Sequence, residues 1–189
     1  NAKRTYVFGM DYVEDKINNS NSLYPSVLIN KGNNITGLFG QGILALNNDL
    51  NLTLGLRQDS HSDFGGHTTT RITSAYNLNN NAILKASFGT GFRAPSLYEL
   101  YDKTNGNNIL KPESSQNLDL GIIQKFPDQN LTFNGTFFST EVEDLIFWVQ
   151  TPGSWTGKYK QTSRKIKREG IELQSKYKVS KDTNVNFSY

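Results

Sequence analysis

Between residues 50 and 59 apolar and polar side chains alternate almost without fault. Leu50, Leu52, Leu54 and Leu56 fall on one side of an extended backbone, and Asn51, Thr53, Gly55, Arg57 and Asp59 on the other. The same two-residue period runs through residues 4–15, where Tyr6, Phe8, Met10 and Tyr12 oppose Thr5, Gly9 and Asp11, and through 82–92, where Leu84, Ala86 and Phe88 oppose Lys85, Ser87 and Gly89. It returns at Leu118, Leu120 and Ile122, at Leu131, Phe133 and Phe137, and at Ile171, Leu173, Tyr177 and Val179, with weaker versions over 35–46, 68–78 and 184–189. The pattern predicts about nine strands, mostly about 9 to 13 residues long, whereas strands of soluble proteins usually run about 5 to 6. About 9 to 11 residues cross a bilayer when the strand is tilted.

The connections alternate too. Short polar segments at 47–49, 79–81, 127–130 and 180–183 are rich in residues that tolerate turn geometry, and longer ones are expected at 16–33, 61–67, 93–113 and about 147–158. Short turns on one side and long loops on the other are the habit of outer-membrane barrels, with the turns toward the periplasm. Tyr12, Tyr76, Phe88, Phe126, Phe137, Trp148 and Tyr177 are candidates for an interfacial aromatic girdle, although aromatic residues are enriched in any sheet.

Composition narrows the classes. Hydrophobic residues make up 35% of the chain and the mean hydropathy is −0.56, values that also suit a soluble protein. No run reaches the roughly 18 apolar residues of a membrane-spanning helix. A barrel strand escapes both tests, because half of its side chains face the lumen. The absence of cysteine excludes a disulfide scaffold and a thiolate metal site. A net charge of +3 is too small and scattered for nucleic-acid binding. The basic run Lys158, Lys160, Arg164, Lys165, Lys167 and Arg168 reads as a solvated loop entering a strand, or as a contact for anionic lipopolysaccharide or an anionic substrate. Residues 1–12 lack the charged start and apolar stretch of a secretory signal, so the chain reads as mature protein or as a fragment.

Catalytic and metal sites find little support. His61 and His67 flank a Gly-rich connection at a spacing that fits no standard zinc pattern, and a serine–histidine pairing has nothing to single it out. Glu141, Glu143 and Asp144 alone fall short of the about 6 to 8 oxygens that calcium takes. Gly89 and Gly91 lack the rest of a phosphate loop and are expected to let a strand end bend. No enzyme activity, cofactor or metal is expected.

Residues 89–101, Gly-Thr-Gly-Phe-Arg-Ala-Pro-Ser-Leu-Tyr-Glu-Leu-Tyr, and 108–113, Asn-Ile-Leu-Lys-Pro-Glu, carry a more specific signal. They resemble the G-x-G-F-[RK]-A-P-x-x-x-[DE]-L-Y and N-x-x-L-K-P-E signatures of TonB-dependent outer-membrane receptors. Phe138 to Ile146 is similar to the family's F-x-[ST]-x-[IV]-x-D-L-I segment, Gly170-Ile171-Glu172 to its G-[VI]-E strand, and Leu38 to Gln41 and Gly55 to Asp59 to its L-F-x-Q and G-x-R-x-D strands. Tyr159-Lys160-Gln161 departs from the Tyr-x-Asn that often precedes the G-[VI]-E strand.

The resemblance, which covers most of residues 35–178 and is nearest to the vitamin B12 and siderophore receptor group, implies an all-β fold: a partial antiparallel transmembrane β-barrel. About nine strands would belong to a larger barrel of about 22. It implies a receptor in the outer membrane, in contact with lipid and lipopolysaccharide, that takes up a scarce nutrient such as cobalamin, a ferric siderophore or haem. Energy would come from an inner-membrane complex through TonB, acting on a region ahead of a plug domain, and neither is visible in residues 1–189. Tyr98, Tyr101, Trp148 and Trp155 are the candidate substrate contacts in the long loops. A passive porin or structural barrel, and a soluble secreted β-sandwich, remain as alternatives.

Overall fold

The computed structural model describes residues 3–19 and 29–189. One antiparallel sheet dominates them, built from β1 (Arg4–Asn19), β2 (Ile29–Ala45), β3 (Leu50–His61), β4 (Gly65–Asn79), β5 (Ala82–Arg93), β6 (Glu113–Phe126), β7 (Leu131–Glu143), β10 (Ile166–Lys178) and β11 (Asn184–Ser188). Each pairs with its sequence neighbour in that order, a simple meander, and β8 (Ile146–Gln150) with β9 (Gly157–Gln161) forms a separate hairpin between β7 and β10. A five-residue helix α1 (Leu97–Tyr101) lies between β5 and β6. The nine expected strands are all present, and several outrun their predicted length: β1 has 16 residues and β2 has 17.

Register carries the two-residue period of each strand across the whole sheet. Leu54 lies opposite Gly42 and Ile72, Ile72 opposite Phe88, and Phe88 opposite Leu118, so these side chains share one face. Thr53, Thr73, Ser87 and Asp119 line up on the other. Burial is inverted relative to a water-soluble fold: Phe8 is 79% and Leu56 58% exposed, while Asp59 and His61 on the polar face are 5% and 6% exposed. That inversion rules out the β-sandwich, whose apolar face would be covered by a second sheet. The polar face instead curves around a recess of about 360 Å³ lined by Asn51, Thr53, Arg71, Lys85, Asp119 and Thr136.

Arg57 shows how this face is organised. Its guanidinium lies across β2, donating to both carboxylate oxygens of Asp59 at 2.9 Å and to Asp11 at 2.5 Å. Gly37, paired with Asp11 on one side and Asp59 on the other, leaves the room, since a Cβ there would fall 2.0 Å from the guanidinium.

Four tight turns close one end of the sheet. Asn47 Oδ1 accepts from the backbone N–H groups of Asp49 and Leu50, Asn79 Oδ1 from that of Asn81, and Asn130 adopts a left-handed φ of 52° after the turn Pro127–Gln129. The opposite end differs from the expected row of open loops. β1 and β2 remain paired to Asn19 and Ile29, so half of the expected 16–33 loop is strand, and the other half lies outside the described residues. The 61–67 connection shrinks to residues 62–64. The 147–158 segment is the β8–β9 hairpin, because alternating Ile146 and Trp148 precede a Pro152-Gly153 turn with Gly153 at φ 74°. Gly89 and Gly91 do not bend β5, which stays in register with β6 up to Arg93; pairing with β4 ends at Gly89 instead. Of the girdle candidates, Tyr76, Phe126 and Tyr177 sit near the short turns, Tyr12, Phe88 and Phe137 lie in mid-strand, and Trp148 is in the hairpin.

Candidate ligand site on the loop cap

The residues after β5 fold because one arginine ties three elements together. Arg93 forms a two-pronged pair with Glu113 at the start of β6, both bonds 2.7 Å, and reaches Glu99 of α1 at 3.1 Å. Glu99 also closes a capping box: its carboxylate accepts from the Ser96 N–H at 2.7 Å, and Ser96 Oγ accepts from the Glu99 N–H at 3.2 Å. Pro95 is fully buried beneath this turn. Glu113 Oε1 also accepts the N–H of Ile146, at 2.6 Å, which fixes where β8 begins. Leu100, Leu110 and Ile146 then meet in a small apolar cluster, with Phe64, Tyr101 and Tyr159 packed against it.

The hairpin joins the helix through Asn105. Asp102 Oδ1 accepts from the N–H groups of Thr104 and Asn105, at 3.1 and 2.6 Å, and from Asn105 Nδ2 at 2.9 Å, so the Asn105 side chain is held in one orientation. Asn105 Oδ1 then faces the N–H of Gly157 at 3.3 Å and Trp148 Nε1 at 3.4 Å, and the Asn105 carbonyl accepts the Tyr159 N–H at 2.8 Å. Gly157 lets the Trp148 ring lie flat on β9, because a Cβ there would sit 2.4 Å from it. Gln161, at the position where the sequence departs from Tyr-x-Asn, donates to the carbonyls of Lys111 and Asp144 at 2.6 Å each and accepts the Lys111 N–H at 3.0 Å. Those bonds pin the hairpin to both flanking segments.

Two of the four aromatic candidates come together. Tyr98 on α1 and Trp148 on β8 are both partly exposed and meet around Asn105, joined by Tyr159, whose ring stands edge-on to Tyr98 at 6.2 Å. Tyr101 points away, packed on the apolar cluster with Lys31 Nζ 5.1 Å from its ring centroid. Trp155 stands alone at the hairpin tip, 97% exposed. Tyr159 and Asn105 were missed from the sequence. The signal for Tyr159 was its spacing from the Pro-Gly turn, which sets it opposite Trp148 in β9; nothing local marked Asn105. Burial, followed by the neighbouring Tyr98 and the negative charge of Glu99 and Asp102, pushes the Tyr159 phenol above the ordinary tyrosine range.

Several of the remaining polar candidates have structural partners. His61 Nδ1 accepts the Asp63 N–H at 3.1 Å, and the His67 ring stacks on Phe92 at 3.9 Å. Among the described residues no group of His, Asp and Glu is arranged to hold a metal ion. Lys165 pairs with Glu143, Lys167 with Glu169, and Arg168 lies over Phe138, which accounts for half of the basic run.

Comparison with known proteins agrees with this architecture. The family described as TonB dependent receptor-like, beta-barrel matches residues 1–189. A vitamin B12 transporter BtuB of Vibrio vulnificus (strain YJ016) is 28% identical over 181 residues, which is 93% of this chain and 28% of that protein. The vitamin B12 transporter BtuB of Photobacterium profundum is 27% identical over 146 residues, 77% of this chain and 23% of that protein. The chain therefore spans about a quarter of the length of these curated relatives. In fold it superposes on the siderophore receptor PirA from Pseudomonas aeruginosa with a TM-score of 0.80 at 21% identity, covering 98% of this chain and 39% of that one. A variant of the ferric enterobactin receptor PfeA from the same organism gives 0.82 at 20% identity, covering 99% and 33%. An inverted sheet with its elaborated connections gathered at one end and a family match along its whole length have one reading: the chain belongs to the TonB-dependent receptor β-barrel family and forms part of an outer-membrane barrel wall.

Proposed function

We propose that residues 1–189 are a segment of a longer outer-membrane active-transport receptor that takes up a scarce nutrient, a cobalamin, a ferric siderophore or haem, with energy delivered through TonB. The supporting observation is the loop cap: one end of an otherwise plain meander is built up into a rigid, aromatic, polar-rimmed surface bonded to the barrel at Arg93, Glu113 and Gln161. In this reading the short turns face the periplasm, the cap faces outward, and the apolar face meets lipid and, toward the cap, lipopolysaccharide. The remaining strands of a barrel of about 22, a plug and the segment that engages TonB lie in the rest of the receptor. Relatives named for vitamin B12 and for siderophores support the nutrient class.

Within the cap we assign ligand contact to Tyr98 and Trp148, joined by Tyr159, with Trp155 as an outlying contact at the hairpin tip. Tyr101 is the weakest of the four candidates, since its ring is occupied by the apolar cluster and Lys31. The test is uptake of labelled cobalamin and ferric siderophores by cells expressing the full-length receptor, with and without a functional TonB. TonB-dependent uptake of one of them, with its Km raised by Trp148→Ala, supports the proposal. Size-limited leakage that is indifferent to TonB points to a passive porin and overturns it.

A further inference from the structure

The outward face of the sheet is not uniformly studded with side chains. Gly40 and Gly42 occupy successive outward positions of β2, opposite Phe8 and Tyr6 on β1 and opposite Leu56 and Leu54 on β3. An open groove of about 560 Å³ results, walled by Tyr6, Phe8, Leu38, Leu54 and Leu56. That is within the about 300–1,000 Å³ range of ligand clefts. Its walls are almost entirely hydrocarbon, and it lies on a face that borders lipid, so an aqueous solute is not its occupant.

Position along the strands says which lipid. Gly42 is three residues from the end of β2, and Leu56 is six residues into β3 from the short turn. At about 3.3 Å per residue and a tilt near 45°, the Gly40–Gly42 floor of the groove reaches about 14 Å from the short-turn end, roughly half of a 30 Å hydrocarbon core, and the wall continues to Leu38, opposite Gln58, at about 19 Å. The floor therefore lies in the leaflet on the short-turn side, and only the top of the wall crosses the midplane. At its foot, on the same face and one pair beyond Tyr6, is Arg4, opposite Leu44. Arg4 is exposed and, among the described residues, takes part in no ion pair. A guanidinium at the water interface below a hydrocarbon groove matches a phosphate headgroup with an acyl chain rising from it.

We infer that the β1–β3 outer face is a lipid site that seats one acyl chain of an anionic phospholipid in the Gly40–Gly42 groove, with its phosphate at Arg4. Phospholipid is chosen over lipopolysaccharide because the groove lies toward the turns, where the orientation proposed above places the inner leaflet. The site uses no residue of the loop cap, and it stands whether or not the receptor's nutrient is correctly assigned.

The test is native mass spectrometry of the full-length receptor released from mild detergent, titrated separately with phosphatidylglycerol, phosphatidylethanolamine and lipopolysaccharide. Phosphatidylglycerol should be retained best. Gly42→Leu fills the groove without a clash, since a Cβ there meets its nearest atoms at 3.5 Å, and should lower retention about tenfold, as expected for excluding about two methylenes. Leu56→Phe fills it from the opposite wall and decides the matter should Gly42→Leu lose its heat-modifiable mobility on gels. Arg4→Gln should abolish the preference over phosphatidylethanolamine while leaving retention of both. Undiminished retention in a folded groove-filled variant overturns the site, and preferential retention of lipopolysaccharide overturns the choice of lipid and with it the orientation. Lost nutrient uptake with intact lipid retention counts only against the transport proposal.

Discussion

Residues 53 and 54 separate the two environments of the wall within a single peptide unit. Leu54 stands on the outward face between Gly42 and Ile72, and Thr53 lines the recess with Arg71, Lys85 and Asp119. In the full-length receptor Leu54→Arg, about 9 Å above the short-turn end, should cost less than the about 2 to 4 kcal/mol of the bilayer midplane but more than the about 0 to 1 kcal/mol of the interface, while Thr53→Arg, with the water of the recess at hand, should cost less still. A lipid-borne quencher should reach a probe at position 54 and spare one at 53; equal quenching means that the faces are wrongly assigned. Tyr159 offers a second measurement at this scale. Its pKa is raised in the folded cap, chiefly by burial, so the unfolded cap loses its proton first as pH rises. Stability from this group is therefore complete below the ordinary tyrosine pKa and declines as pH climbs above it. Absorbance titration should show an ionisation above the ordinary tyrosine range that is lost in Tyr159→Phe and moves down in Tyr98→Phe.

At the scale of elements, the cap owes its rigidity to a few side chains that each serve two segments. Glu113, only 9% exposed, holds Arg93 and the first N–H of β8, and its replacement weakens the hold on both. Glu113→Gln should cost about 1.5 to 3 kcal/mol, the value of charged hydrogen bonds, toward the lower end because Arg93 is half-exposed. Proteolysis of intact cells should then cut within residues 94–112 or 144–165 before anywhere else. Asn105→Ala makes a narrower break. It frees Gly157 and Trp148 from α1 while leaving the β6–β7 register untouched, so hydrogen exchange should accelerate in β9 alone. Exchange that also rises in β6 would show that the cap and wall unfold as one unit.

For the whole molecule, the inverted distribution of polarity means that this chain has no interior of its own beyond the cap cluster, among the described residues. Among the described residues the nine-stranded sheet ends at β1 and β11, each paired on one side only. Open edges of that length recruit further strands, and a barrel needs closure to remove them. Residues 1–189 produced alone in detergent should associate and show no heat-modifiable monomer band, whereas the full-length receptor should show one. A closed monomer formed from these nine strands would contradict the placement of this segment within a larger wall.

The repeating Leu–polar alternation was enough to place the nine wall strands, their faces and the short turns at one end, because a strand's side chains alternate by geometry alone and each of these strands pairs with its neighbour along the meander. It did not place the connections at the other end, where 62–64 is as short as the turns and 146–161 is a hairpin. The Gly-x-Gly-Phe-Arg and Leu-Lys-Pro-Glu segments likewise declared the family without any structure. The cap was not legible in the same way. Residues 93–113 and 147–158 read as loops since their order depends on contacts 20 to 52 residues apart in sequence, Arg93 with Glu113, Glu113 with Ile146, Asn105 with Gly157. Tyr101 and Trp148 look alike as aromatics in a polar segment, and only the packing of Leu100, Leu110 and Ile146 decides that the first turns inward and the second outward. Local periodicity sets which way a strand faces; where a loop folds back depends on partners brought near by the sheet beneath it.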